Sequence, residues 1–532
     1  MSSIAVNRRQ TLALLGGVAG GFIVASRPGA ANAAKQDTLV VTSCADAVTL
    51  DPQSSFDGQS PLIWRGVYEN LLAYKGSSQE IVPHLADYEI SSDGLLYTFT
   101  VKEGIKFTDG EPLDAAAVKF NIERQKAINL GIAFALTPIA SMETPDERTV
   151  VLKLSAPSDG LLSAFAGMYS VYMISPKAIR DNEKDGDWAQ AWLRENMVGT
   201  GPYKLRKYVQ SQQAVLERNE AYWRGWDGEH IDNVVIRYVK DANSARLLLE
   251  RGDSDIALFL PDDMVEAMND EGGVLVTDIP SPVQYCVVLP ANVAPMNDVR
   301  VRQAIAYSFD YEGLINNMLR GHAKQARGPV PSGFIGFNPQ TKQYKRDIPK
   351  AKELLAAAGF PDGGFTLKYT YETGYWWKRP VGELLQSSLK ELGIGLEIME
   401  LSPAAWSGMM SNPETAKLAC FGFLWSPTLA TPYDYMWSMF DTAAQGAAGY
   451  NWGYYSNPEV DKLLAQGTSE PDEAKRMASY AKAQELIAEE APALFLYEKN
   501  YRLPMNRNVE GFVFNGVWFE TFDFYSLTKK GA

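Results

Sequence analysis

The chain has 532 residues, 46% of them hydrophobic and 21% charged, and a formal net charge of −14 at pH 7. An acidic balance with no extended basic stretch argues against nucleic acid and anionic membranes as partners, because both are held through clustered lysine and arginine. Such length and apolar content are ample for a large core, usually divided into two or three domains.

Residues 1–33 read as an export signal. Arg8 and Arg9 precede an apolar run from Leu12 to Ala25, and the small residues Ala31-Asn32-Ala33 end it, so that cleavage leaves Ala34 first. The run is too short for a membrane span, which takes about 20 apolar residues, and Gly16, Gly17, Gly20 and Gly21 dilute it. The arginine pair points to the twin-arginine route, which carries folded proteins; an ordinary secretory signal with two arginines is the alternative. Removing residues 1–33 takes away Arg8, Arg9 and Arg27 and no acid, so the formal charge moves from −14 to −17. Val41-Thr42-Ser43-Cys44 looks like a lipoprotein cleavage box, but Lys35 and Asp37 separate it from the apolar run. Thr38 to Thr42 alternate instead as a first strand. A soluble periplasmic protein without a lipid anchor is expected.

Further along, Tyr97 to Val101, the turn at Asp109-Gly110 and Thr149 to Leu154 read as pieces of an open sheet. Gly199-Thr200-Gly201-Pro202 could cradle a phosphate, but the proline removes a donor where one is wanted, so a tight turn is expected. Asp253 and Asp255 resemble a fragment of a calcium loop with the other ligand positions wrong; they read as solvated acids in a turn after a helix ending near Gly252. A helix starts at Asn297 or Asp298, turns Val301, Ile305 and Phe309 inward, and extends through Leu314, Ile315, Met318 and Leu319. Phe365, Leu367, Tyr369 and Tyr371 share one strand face. Val381, Leu384, Leu385, Leu389 and Leu392 then form a helical stripe stopped by Gly393, and Leu396 to Met399 reads as another strand, completing a βαβ unit. Alternation between the two periods marks mixed α/β structure. No low-complexity linker occurs, so the domains are expected to be joined by crossing chain segments.

Cys44, Cys286 and Cys420 cannot all pair and form no CxxC, so free buried thiols are expected, with one disulfide at most. His84, His230 and His322 stand in no metal-ligand spacing, and there is no GxSxG, P-loop or EF-hand sequence. No enzyme, cofactor or metal is expected. The positive signal is aromatic: Trp425, Tyr433, Tyr435, Trp437, Tyr450, Trp452, Tyr454 and Tyr455 lie among Gly, Pro and Thr in a stretch that does not look helical. Such rings line either a cleft or a core layer. Trp425 and Tyr433 are assigned to a cleft and the rest to core.

Four stretches carry a resemblance: Ile81-Val-Pro-His-Leu-Ala-Asp87 with Asp93-Gly94 through Lys106-Phe-Thr-Asp-Gly-Glu-Pro112; Gly199-Thr-Gly-Pro-Tyr203 with Glu217-Arg-Asn-Glu-Ala-Tyr-Trp223; Asn297-Asp-Val-Arg-Val-Arg-Gln-Ala304; and Tyr455-Ser-Asn-Pro-Glu-Val-Asp461. In these the chain resembles the family 5 solute-binding proteins of ABC importers, the dipeptide, oligopeptide and nickel-complex receptors. The resemblance implies an α/β, periplasmic-binding-protein-like two-lobe fold with an extra inserted subdomain. Lobe I would comprise 34–72, 198–285 and 501–532, the inserted subdomain 73–197 and lobe II 286–500. It further implies a hinged cleft for a small-molecule or peptide ligand, closure recognised by ABC permease membrane subunits, and a monomer.

Peptide receptors of this family typically carry a Trp, three residues later an Asp that pairs with the peptide amino terminus, and then an Asp-Pro or Glu-Pro. Here the segment reads Trp425-Ser-Pro-Thr428-Leu-Ala-Thr431-Pro432, with hydroxyls at both acidic places. A hydroxyl cannot balance a buried ammonium, so either Asp434 or another acid substitutes, or the ligand has no free amino terminus. Opine-like conjugates, capped peptides and oligosaccharides then stand beside free peptides. A nickel complex is disfavoured, because no histidine falls in the cleft segments of lobe II. Trp406 matches a lobe II aromatic position and stacks either on ligand or in core. Tyr375, Trp376, Lys378 and Arg379 precede a helix, where a cation could meet a ligand carboxylate or simply face solvent. Phe56 to Ser60 would form the lip of lobe I. Two rival functions are an exported hydrolase pairing Asp434 with an acid across the lobes and a chaperone-like or signalling module holding a protein segment in the cleft.

Overall fold

In the computed structural model the described residues are 37–268, 273–375, 377–416, 419–446, 449–519 and 521–530; the expected leader, residues 1–33, and Trp376 lie outside them. Thr38–Ser43, whose alternation marked it as a strand, lies inside a seven-stranded sheet. It runs parallel to Asn233–Tyr238 on one side and to Ile256–Leu258 on the other. Gln213–Arg218 and Tyr203–Val209 extend the first side antiparallel, and Pro504–Asn506 and Val274–Val276 extend the second. The second sheet has six strands, ordered Ala323–Gln325, Ala493–Lys499, Gln284–Val288, Cys420–Trp425, Thr366–Glu372 and Gly395–Leu401. A third, antiparallel sheet of four strands holds Ala86–Ile90, Leu96–Val101, Thr149–Leu154 and Ile139–Glu143, two of them the strands read from the sequence.

The chain passes twice between the first two sheets, at 277–283 and 500–503. The two crossings touch through paired backbone hydrogen bonds between Ile279 and Tyr501, at 3.2 and 2.7 Å. This is the join expected in the absence of a linker. Among the described residues no helix is long and apolar enough to cross a membrane.

The βαβ unit forms as its periodicity predicts: Thr366–Glu372 and Gly395–Leu401 are parallel neighbours, and Lys378–Lys390 connects them. Gly393 has φ +71, and a Cβ there would run into the Asp362 carbonyl, so the stop requires glycine. Thr370 breaks the alternation, being fully buried beside Cys420–Trp425.

The helix capped by Asp298, which accepts from the Arg300 amide at 2.8 Å, ends at Ser308. It does not continue as expected: Phe309 turns extended, and Asp310 accepts from the Gly313 amide to start a separate short turn. Asp255 also departs from expectation. It is buried, accepting from the Val40 amide at 2.7 Å and paired with Lys529 at 3.0 Å, and so ties three segments of the first lobe together instead of facing solvent. Gly199 and Gly201 lie against the Val67 carbonyl with no room for a Cβ, which gives that turn a packing role. The three cysteines are free, with burial pushing the Cys44 thiol up to about 11 and those of Cys286 and Cys420 to about 12.

The four-stranded unit is fastened to the first lobe by a fully buried ion pair. Arg124, on the helix Ala115–Ile128, reaches both carboxylate oxygens of Asp51, at 3.1 and 2.7 Å. Gln53 and the Trp188 carbonyl take two more of its donors.

Candidate functional site

The strand Cys420–Trp425 delivers the chain into a loop, and Thr431 turns it into the helix Pro432–Phe440 by accepting from the Tyr433 amide at 3.3 Å. The aromatic stretch read as irregular is therefore partly helical. Proline at the first helical position and threonine before it are the local reasons, since the ring presets φ and the hydroxyl caps an orphan amide. Helical spacing stacks Tyr433 on Trp437 at 5.9 Å. Tyr435 is turned into the core, where its hydroxyl donates to the Pro282 carbonyl at 2.6 Å.

Asp434 stands in the first turn, buried, with Oδ2 accepting from the Thr428 amide at 2.8 Å. Burial pushes its carboxyl up to about 7; the Thr428 and Leu429 amides and the Trp425 indole oppose that, and the nearby Asp159 adds to it. Its role is to fold the loop back on itself, a local task performed by a carboxyl whose charged form burial disfavours. Thr431, itself buried, donates to Asp159 Oδ2 at 2.5 Å, and Tyr480 donates to the same oxygen at 2.6 Å. The Ala430 amide donates to Ser163 Oγ at 3.1 Å. The loop thus touches segment 159–163, beyond the four-stranded sheet, on one side and the helix Glu473–Glu490 on the other.

An aromatic wall runs beside this loop. Trp425 stacks on Phe423 at 5.9 Å and meets Tyr450 edge-on at 5.5 Å; Tyr450 continues to Trp452, and Trp452 to Trp406 at 5.3 Å. Trp406 is only 6% exposed, so most of its ring packs within the wall. At the far end Lys378 lies 4.4 Å from the Tyr375 ring and 5.1 Å from that of Trp406. Its ammonium is buried and held by both oxygens of Glu372 at 2.7 Å, and burial lowers its proton affinity. Tyr375 is 48% exposed. Arg379 stands on the solvent side of the same helix, bonded to Glu383 at 3.0 Å. Phe56 lies edge-on to Tyr169 at 5.0 Å and 6.2 Å from Phe134, whose ring reaches Trp437 at 5.6 Å.

The structure therefore groups Trp425, Thr428, Thr431, Tyr433 and Asp434 at one place. It sets Trp406 and Tyr375 along the wall, joins Phe56 to the group through Phe134, and leaves Arg379 at the rim. Sequence reasoning missed Asp159, Ser163, Tyr480 and Glu372. No short motif marks them, since three come from segments distant from the loop and the fourth is an ordinary strand residue until Lys378 folds over it. A cavity of about 150 Å³ lies where the chain crosses between the lobes, lined by Leu258, Phe259, Asp262, Tyr285, Lys499 and Phe519 among others. Among the described residues no group of three or more His, Cys, Asp or Glu is placed to hold a metal ion.

Residues 80–447 match the family model described as bacterial extracellular solute-binding proteins, family 5 Middle. The chain is 33% identical over 507 residues to the probable D,D-dipeptide-binding periplasmic protein DdpA of Escherichia coli K12, covering 94% of this chain and 96% of that one. It is 28% identical over 490 residues to the glutathione-binding protein GsiB of Pectobacterium atrosepticum, covering 90% and 92%. Its fold matches that of DppA from Helicobacter pylori, solved with the peptide STSA, with a TM-score of 0.79 at 24% identity over 94% and 99% of the two chains. The matching stretches, the two crossed lobes and the extra sheet agree: the chain belongs to the bacterial extracellular solute-binding proteins of family 5.

Proposed function

We propose that this protein is the receptor of an ABC importer, capturing a short peptide or peptide-like solute between its lobes and presenting it to the membrane permease subunits. The observation that carries the reading is the aromatic wall from Trp406 to Trp425, set beside a loop gripped from the opposite side of the molecule. Rings of this kind supply apolar area with polar tips, which suits desolvating an amide-bearing ligand. The names of the two curated relatives support a dipeptide or a tripeptide such as glutathione as the first ligands to try. Tyr375 and Arg379 at the rim are the groups for a ligand carboxylate. The lobes take the limits given above, with Gln284–Val288 entering the second. Binding and release suffice; no bond is broken.

The test is a thermal-shift and native mass-spectrometry screen of residues 34–532 against D,D- and L,L-dipeptides, glutathione, oligopeptides, opines and oligosaccharides. A ligand at 100 times its Kd adds about 2.7 kcal/mol of stability. A shift with opines, capped peptides or sugars alone sinks the free-peptide reading. One observation favours that second outcome: Asp434 is buried and engaged by its own loop, and burial disfavours its charged form, raising it to about 7, so the acid nearest Thr428 is a poor partner for a ligand ammonium. A hydrolase would be revived by turnover of a screened compound that Asp434→Asn abolishes. Export to the periplasm by the twin-arginine route predicts that replacing Arg8 and Arg9 with lysine traps precursor inside the cell; normal export of that variant would reduce them to an ordinary basic start.

A further inference from the structure

The loop between Trp425 and Pro432 is held from two directions by two different carboxylates. Asp434, in the same lobe, takes the Thr428 amide. Asp159, which follows the strand Thr149–Leu154 of the four-stranded sheet, takes the hydroxyls of Thr431 and Tyr480 on a single oxygen. Tyr480 rides on the helix Glu473–Glu490, and Arg476, one turn earlier, adds an attractive charge toward Asp159. The same helix also supports a neighbouring loop of its own lobe that makes a second contact with the inserted subdomain. Its Gln484 donates to the Gly336 carbonyl at 2.8 Å and accepts from the Asn338 amide at 3.1 Å, fixing the loop 331–338. That loop in turn meets Gln79, whose side chain donates to the Gly333 carbonyl at 3.0 Å and accepts from the Ile335 amide at 2.8 Å. Both contacts thus run from the inserted subdomain to one helix of the second lobe or to the loop fixed on it, away from the crossings at 277–283 and 500–503 that keep the lobes connected.

We propose that Asp159, with Thr431 and Tyr480, forms a clasp that holds the two lobes closed, and that Gln79 with the loop 331–338 is its outer catch. The inference rests on the two-lobe receptor reading. Asp159 acts as a positioning residue: by holding Thr431 it places the Trp425–Pro432 loop against the cleft. The joint is made of two hydroxyl hydrogen bonds to one carboxylate and of amide hydrogen bonds, and because water replaces each partner when it parts, each bond costs less to break than a buried ion pair. Such a joint can open and close with ligand traffic.

Hydrogen exchange resolved to single amides, with small-angle scattering, tests it on the ligand-free protein. In Asp159→Ala, which leaves the Thr431 cap intact, the Ala430 amide should exchange at least tenfold faster, while the Thr428 amide, held by Asp434 within the lobe, keeps its rate. The radius of gyration should rise. Tyr480→Phe should give the same pattern more weakly. An unchanged Ala430 amide, loss of both amides together, or an unchanged radius of gyration would overturn the clasp. D-alanyl-D-alanine serves as the ligand probe in a separate titration: its failure to bind the wild type counts against the dipeptide reading alone, since the exchange result is decided without it.

Discussion

The four-stranded unit meets the rest of the molecule in two ways. Toward the first lobe it presents Arg124, fully buried against Asp51, a guanidinium and a carboxylate joined at two points with Gln53 accepting a third N–H. Toward the second lobe it presents Asp159 to two hydroxyls and Gln79 to two backbone groups. Separating a buried ion pair leaves a charge stranded in a poor solvent, whereas separating hydroxyl hydrogen bonds exposes groups that water satisfies at once. The first junction is built to stay shut, the second to part.

Breaking the fixed junction should have the largest effect. Arg124→Met leaves Asp51 buried without its counter-charge and should cost about 3–5 kcal/mol, read as a lower urea midpoint. The double variant Asp51→Leu with Arg124→Met should recover most of that, because two apolar groups strand nothing. If the double variant is no better than the single, the pair is not the fastening.

Within the second lobe, the Trp425–Pro432 loop is also held by a group that handles charge through a proton. Burial raises the Asp434 carboxyl from an ordinary 3.8 to about 7. For an acid raised in the folded state, the stability it contributes is full below its unfolded value and is lost as pH climbs through the folded one. Wild type should therefore lose up to about 4 kcal/mol from this group between pH 4 and pH 8. Asp434→Asn should flatten the slope in urea midpoints measured across that range; an unchanged slope would mean that Asp434 stays ionised throughout. Asp159, raised in the same direction by its burial, remains in that variant and keeps part of the slope.

What could be read in advance divides along the same line. The βαβ unit at 366–401 and the first strand were legible because their periodicity is local, and the family stretches were legible because each is contiguous. The helix Pro432–Phe440 was not, although its signal was present: the Thr431-Pro432 pair is a helix start, and the density of rings concealed it. Lys378 read as a cation for a ligand or for solvent, and the partner that buries it, Glu372, lies only six residues back but on a strand whose face is decided by tertiary packing. Asp255 read as a solvated acid for the same reason, since Val40 and Lys529 are brought to it by the fold alone. Asp159 and Tyr480 are 321 residues apart and belong to no motif; a meeting of that kind is set by how whole lobes sit together.

Removing one hydroxyl from the parting junction should matter less than removing the arginine from the fixed one. Tyr480→Phe keeps the ring against Gly467 and deletes a single hydrogen bond to a carboxylate, worth roughly 1.5–3 kcal/mol. The loss should be divided between global stability and the closed form, so the urea midpoint should fall less than in Arg124→Met while the Ala430 amide loses protection. A drop as large as that of Arg124→Met would make the two junctions equivalent.

The smallest effect is expected at the outer catch. Gln79 is half-buried, and its two hydrogen bonds to Gly333 and Ile335 are replaced by water when the lobes part. Gln79→Ala should change the unfolding free energy, read from the urea midpoint, by no more than about 0.5 kcal/mol, the usual range for a surface substitution. The Ile335 amide should nevertheless exchange faster, because it loses its acceptor, while the Asn338 amide, bonded to Gln484 within the lobe, should not. A marked fall in global stability would mean that this edge is as permanent as the Asp51–Arg124 junction, and that the molecule closes elsewhere.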